Sequence, residues 1–311
     1  MSTKFLKECY ICSSNLKKSR LISSEISEVP AGLDRSHSEN FELFPCSNCG
    51  TINLYDHNRG MDSKSLYEES LCLDASKLTE DLSKVMSPYS TDLINSSIAS
   101  SWSNLSAIDM GCGGGYFTKR LAKYCKEVHA ADIDRAAIKN LQENEPGLLS
   151  YVMDFNEIPL NKYDIISLIG VFEHLPNPSL TIEFIKKSIK KGNDSSIIIA
   201  FPNLASMSRK ISRLSKHEWD MFLEPGHLHI PSKKGFQDLL IKNNLIIEKY
   251  YTSSNTIRGK LPLPFRNAKL EHKVLNIISR NRFARFLYQA YFKILDFFKL
   301  GDISIFIIKH E

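Results

Sequence analysis

Two cysteine pairs and one glycine-rich run carry the chemistry open to this chain. Cys9-x-x-Cys12 and Cys46-x-x-Cys49 each bring two sulfurs to one side of a tight turn. Two such turns complete the tetrahedral thiolate shell that suits zinc. Further along, Asp109-Met-Gly-Cys-Gly-Gly-Gly115 sets glycines at 111, 113 and 115. Backbone without Cβ atoms lets a ligand come close, and the start of the following helix offers unpaired N–H groups. A dinucleotide fingerprint needs G-x-G-x-x-G, but Tyr116 stands where the third glycine belongs, and no Gly-Lys-Ser/Thr follows as a nucleotide-phosphate loop would require. What remains is an acidic residue followed by alternating glycines. A carboxylate can meet a cationic ligand there, and no pyrophosphate is called for.

These residues need a sheet to hold them. Leu105–Ile108 reads as a strand running into Asp109, and Phe117, Leu121 and Cys125 then recur with helical spacing. A second strand, Glu127–Asp132, ends in a carboxylate that can accept both ribose hydroxyls of an adenosine. A third, Leu148–Asp154, ends in another, and a nearly all-apolar fourth, Tyr163–Gly170, has the character of a central parallel strand. Ser196–Ala200, Leu245–Tyr251 and Asp302–Lys309 supply three more. Asp134 is expected to cap the helix over 135–143, and Ser232 the helix ending at Asn243. The expectation is an α/β fold: a Rossmann-like, seven-stranded, mostly parallel sheet with helices on both faces. A zinc-binding head over 1–60 and a helical connector over 61–104 precede the body at 105–311, in which 258–299 forms a basic, aromatic, helical insertion before the last strand.

Residues 105–250 resemble class I S-adenosylmethionine-dependent methyltransferases, through Asp109 to Gly115, Asp132, Asp154-Phe155, Tyr163-Asp164 and Glu173-His174-Leu175. The resemblance implies S-adenosylmethionine as cofactor. Asp109, Gly111, Gly113 and Gly115 would meet its methionine end, Asp132 the ribose, and Asp154 with Phe155 the adenine; Gly170, closing the fourth strand, joins the cofactor set. The cysteine head is similar to the N-terminal zinc-binding region of a subset of these enzymes that modify nucleotide-linked or polymeric sugars. Larger members of that subset carry a further C-terminal α/β domain, which this chain is too short to contain.

The acceptor side begins at Glu173 and His174. Methyl transfer to a hydroxyl needs an oriented nucleophile and a base. His174 is one candidate base, its alternative being a buried ring bonded to backbone. Glu173 either orients His174 or helps to hold a divalent ion. His227, in Gly226-His-Leu, is the second candidate base, and His229 reads as packing. The cysteines read as a structural zinc site, because four thiolates leave no open coordination position. The leading acceptor is a sugar hydroxyl or carbon, nucleotide-linked or on a lipid-linked or surface glycan. The alternatives are a hydrophobic aromatic such as a quinone precursor, RNA, and a scaffold without activity.

Composition sets bounds on these readings. The chain has 311 residues, 42% hydrophobic and 24% charged, with seven cysteines and a net charge of +5. These are ordinary globular values, too mildly basic for a strong nucleic-acid binder, so no nucleic-acid partner is expected. No long apolar run precedes Cys9, and the paired cysteine spacing suits a reducing compartment; the cytoplasm is the expected location. Segment 258–299 sets ten Lys and Arg against Glu271 and Asp296, interleaved with aromatics. It is expected to rest on the inner face of a membrane, meet a diphosphate, or pack on the sheet or on a twin subunit.

Overall fold

The computed structural model describes residues 6–16, 20–24, 39–56, 102–145, 147–152, 158–192, 195–214, 219–222, 226–254 and 281–311. Strands β1 (Arg20–Ser24), β2 (Glu39–Pro45) and β3 (Ile52–Asp56) form an antiparallel meander in the head. The body contains β4 (Ser106–Met110), β5 (Glu127–Asp132), β6 (Leu149–Val152), β7 (Ile165–Ile169), β8 (Ser196–Pro202), β9 (His229–Ile230), β10 (Leu245–Ser253) and β11 (Ile303–His310). Its helices are α1 (Tyr116–Leu121), α2 (Arg135–Asn144), α3 (Pro178–Ser188), α4 (Met207–Leu214), α5 (Lys233–Lys242) and α6 (Arg282–Phe297).

Seven strands make one sheet in the order β10-β11-β8-β7-β4-β5-β6, in which β11 alone runs against its neighbours. All seven strands foreseen from the apolar runs are present. The central strands are buried on both faces because their sequences offer water nothing: β8 is buried throughout, and β7 apart from its last residue. Period-two alternation divides β8 between two cores. Ile197 and Ile199 pack with Ile182, Ile185, Phe236 and Leu239 of α3 and α5, whereas Ile198 and Ala200 pack with Phe117 and Leu121 of α1. Helices therefore cover both faces, as expected. Asp134 caps α2 by accepting from the N–H groups of Ala136 and Ala137, and Ser232 caps α5 by accepting from Gly235.

The sheet order reverses between β4 and β7, since the chain leaves β4 towards β5 and β6 and returns on the other side as β7. Open α/β sheets bind ligands at such a point, beyond the carboxyl ends of the strands. Asp164 lies at the opposite end, just before β7, where it accepts from Ser106 N–H and pairs with Lys190 at 2.8 Å. It clamps the strand starts together and stands away from the ligand end.

The head does not stand apart from the body. β3 pairs with β9, so the cysteine meander gains its fourth strand from the segment just after Gly226-His-Leu. Cys9, Cys46 and Cys49 share the main core with Phe236 and Leu239. β1 and β2 pair antiparallel, and residues 25–38 between them lie outside the described residues. Residues 61–101 of the connector lie outside them as well; Trp102 near its end is buried beside α1.

Candidate active site

The glycine run leaves β4 at Met110 and folds back on β5: the N–H groups of Gly111 and Cys112 both donate to the Ala131 carbonyl, at 2.7 and 3.1 Å. Two of its glycines serve different ends. Gly111, at φ 74°, has no room for a Cβ, which would overlap the Val171 methyls. Gly113, at φ 48°, faces open space, with nothing within 4 Å of where a Cβ would stand. A side chain at 113 would fill that cradle; one at 111 would push two protein segments apart. Gly115 packs against Leu141 of α2. Gly170, also open, closes β7 by donating to the Ala200 carbonyl at 2.9 Å.

Asp132 ends β5 with its carboxylate in the same place. One oxygen accepts from Gly113 N–H at 2.7 Å and the other from Asp134 N–H at 2.9 Å. Each oxygen keeps a lone pair for a further donor. Burial raises its pKa above the usual carboxylate value. Asp109 lies deeper. Its two oxygens accept from Ser167 and Thr118, both at 2.7 Å, and burial pushes it up to about 6. Asp109 thereby ties β4 to β7 and α1. Neither hydroxyl was singled out from sequence, although Ser167 is the single polar residue in the run Ile165-Ile-Ser-Leu-Ile169. Asp154 and Phe155 lie outside the described residues. Open backbone at 113, held by a carboxylate with spare acceptors, fits an adenosine-bearing cationic ligand.

Val171, which covers Gly111, leads directly into a 3-10 turn over Phe172–His174. This turn sets Glu173 and His174 next to the glycine run, and His227 of Gly226-His227 meets them there. The ligand atoms of Glu173, His174 and His227 lie within 4.8 Å of one another, a set that could also hold a divalent ion. The rings of His174 and His227 are 4.7 Å apart, and His227 Nε2 is 3.9 Å from Glu173 Oε1. His227 Nδ1–H donates to the Met221 carbonyl at 2.7 Å, which leaves Nε2 as the lone-pair nitrogen. Burial pushes Glu173 up to about 8 and, ahead of the nearby His227, pulls His174 down to about 3. At neutral pH the acid is protonated and His174 is uncharged. Glu173 Oε2 is buried with no hydrogen-bond partner among the described residues.

His229 is packing, as expected. It is fully buried, donates from Nε2 to the Leu175 carbonyl at 3.1 Å, and lies between Tyr10 and Phe172. Burial pulls it down to about 3. The sign follows: the unfolded chain binds a proton near pH 6.5 that the folded chain refuses, so this residue's share of stability is lost as pH falls from 6.5 towards 3. Denaturant melts at pH 7.5 and 5 should show His229→Gln with a shallower acid loss than the parent, by about 1.4 kcal/mol per pH unit within that window.

The four cysteines meet as their spacing implied. Sγ atoms are 3.6 Å apart in Cys9–Cys49 and 3.5 Å apart in Cys12–Cys46, and all four lie within 4.8 Å of one another. A tetrahedral zinc with Zn–S of about 2.3 Å sets its sulfurs about 3.8 Å apart. The neighbouring Cys49 sulfur and burial raise the Cys9 thiol, and burial raises that of Cys46; the backbone N–H groups of Ile11 and Cys12 at the first sulfur, and of Asn48 and Cys49 at the second, offset part of that rise. The donor set fits a closed structural site.

A methyltransferase-domain family model matches residues 77–250. A ubiquinone biosynthesis O-methyltransferase from Bordetella pertussis is 25% identical over 181 residues, covering 51% of this chain and 74% of that protein. One from Shewanella halifaxensis is 30% identical over 92 residues, 27% of this chain and 39% of that protein. Among solved structures, magnesium protoporphyrin IX methyltransferase from Synechocystis PCC 6803 with bound SAH is 16% identical, covers 62% of this chain and 94% of that one, and has a TM-score of 0.45. The family match spans more than half of the chain and takes in the glycine run, Asp132 and the Glu173-His174 turn. This chain therefore belongs to the methyltransferase-domain family and is an S-adenosylmethionine-dependent methyltransferase.

Proposed function

We propose that the enzyme methylates a hydroxyl oxygen, with His227 as the base that receives the hydroxyl proton. Bound at Asp132 and the glycine run, S-adenosylmethionine supplies an electrophilic methyl group. His227 Nε2 carries the lone pair because Nδ1–H is fixed on the Met221 carbonyl. Glu173, kept protonated at neutral pH by burial, places no negative charge beside the acceptor. His174 stays neutral and lies beside the His227 ring. With Glu173 and His174 both uncharged, the site suits a neutral hydroxyl better than an ammonium group, which would need an anion beside it. The observation that carries the reading is the meeting of these three side chains two residues beyond Val171, which touches Gly111. His227→Ala should lower kcat at least a hundredfold, a loss typical of a missing general base, with an unchanged dissociation constant for the cofactor.

The acceptor we favour is a hydrophobic phenol or catechol, in keeping with the relatives named ubiquinone biosynthesis O-methyltransferases. A sugar hydroxyl is the second reading. Its support is the cysteine sheet, which contributes β3 to the strand that follows His227. The experiment is incubation with methyl-labelled cofactor and separate pools of prenylated catechols, lipid-linked glycans, nucleotide sugars and RNA. Label in an alkali-stable ether of the first pool supports the reading, label in a glycan pool favours the second, and label in RNA alone overturns both. The four cysteines hold a structural zinc ion that stiffens the acceptor side.

A further inference from the structure

We infer that α6 is a membrane-docking helix that rests its outer face on an anionic phospholipid surface. The helix is apolar on two opposite sides. Phe292 and Leu295 are buried against the body, and Asp296 turns the same way, accepting from Ser254 Oγ at 2.7 Å and from Thr252. At a spacing of three and four residues, Phe283, Phe286, Leu287, Tyr291, Ile294 and Phe297 line the other side. Phe283 is 70% exposed, Phe286 63% and Phe297 77%, and Phe298 continues the stripe past the helix end. Sixteen residues make a strip of about 24 Å, too large to be scattered surface apolarity.

Charge identifies the occupant. The only acidic side chain of α6 is turned inward, whereas Lys293 and Lys299 are exposed. The insertion as a whole carries ten basic residues against two acidic ones, in a chain whose net charge is +5, so the remainder is net acidic. A second basic helix stands beside the end of α6: Met207 N–H bonds the Leu300 carbonyl, Ser208 bonds Asp302, and α4 exposes Lys210 and Arg213 with no acidic residue of its own. A second copy of the chain would set these cations against their twins; an anionic bilayer neutralises them while its acyl region takes the phenylalanines. No helix among the described residues is long and apolar enough to cross a membrane, so the segment lies on the surface. The face also ends near the ligand rim, because Asn203, just past the carboxyl end of β8, donates to the carbonyls of Lys299 and Gly301.

The test is flotation of the full chain with vesicles of phosphatidylcholine alone and of phosphatidylcholine with 30% phosphatidylglycerol, with light scattering for oligomeric state. The parent should float with the anionic vesicles and release in about 1 M salt, where screening is short-ranged. Phe286→Ser with Phe297→Ser should weaken binding at least tenfold while leaving cofactor affinity unchanged. If that double variant does not fold, Lys210→Glu with Arg213→Glu tests the same surface and should weaken binding by a similar factor. Failure of the parent to float overturns the inference. So does a dimer that the phenylalanine variant converts to monomer with vesicle binding unaltered, which would assign the face to a second copy. Neither outcome bears on the methyl acceptor.

Discussion

Asp132→Ala is expected to raise the dissociation constant for S-adenosylmethionine at least a hundredfold while the chain stays folded. The carboxylate does two things at once. It holds the glycine run in shape through Gly113 N–H and the next turn through Asp134 N–H, and it keeps lone pairs for the ribose hydroxyls. Hydrogen bonds to a charged group contribute about 1.5–3 kcal/mol each, so losing two or more exceeds the roughly 2.7 kcal/mol that a hundredfold requires. Asp132→Asn keeps one acceptor oxygen and should lose less. Gly113→Ala separates the two roles: its Cβ enters open space, so affinity should fall through blocked approach, with a stability loss limited to the left-handed backbone cost of about 1–2 kcal/mol. Calorimetric titration with S-adenosylmethionine and with its demethylated product, beside thermal melts, checks all three. Unchanged affinity in Asp132→Ala would remove the carboxylate from the cofactor site.

The body of the fold was legible because its strands are strongly apolar runs ending in carboxylates or glycines. Ser196-Ile-Ile-Ile-Ala and Ile303-Ser-Ile-Phe-Ile-Ile leave little choice of environment. The head was legible as a four-cysteine cluster but not as a sheet. β2 and β3 carry a mixed pattern, Glu39–Pro45 and Ile52–Asp56, and the two-residue β9 is a strand through its partner and not through its own sequence. That pairing joins residues about 180 positions apart, and nothing local to His229-Ile230 announces it. The candidate site divides the same way. Motif spacing marked Asp132, the glycines and Glu173-His174. It could not show that Asp109 spends both oxygens on Ser167 and Thr118, or that Met221 fixes the ring of His227, because Ser167 comes from the interior of β7, Thr118 from within α1, and Met221 offers only its backbone carbonyl. Side-chain hydroxyls and backbone carbonyls have no spacing signature.

Stripping zinc with a chelator, or replacing Cys49 with serine, is expected to abolish most methyl transfer while cofactor affinity changes less than threefold. The reason is a short path of contacts from sulfur to acceptor site. The Cys49 carbonyl accepts from Ser232 Oγ, which also caps α5, and Thr51 Oγ1 accepts from Ser232 N–H. Leu54 of β3 donates to the Leu228 carbonyl, and Leu228 N–H donates to the Glu173 carbonyl, both within 3.0 Å. His227 lies inside this web; the glycine run and Asp132 lie outside it. A structural zinc contributes about 10–16 kcal/mol in small peptide sites, comparable to the whole stability of a typical domain, so a short head should not keep its form without the ion. Metal analysis should return one zinc per chain. Amide exchange should rise over 226–232 when the ion is removed and stay level over 109–115. Equal turnover with and without zinc would show the knuckle to be a separate appendage, and cofactor affinity falling in step with turnover would mean that the metal supports the entire fold and not the acceptor side alone.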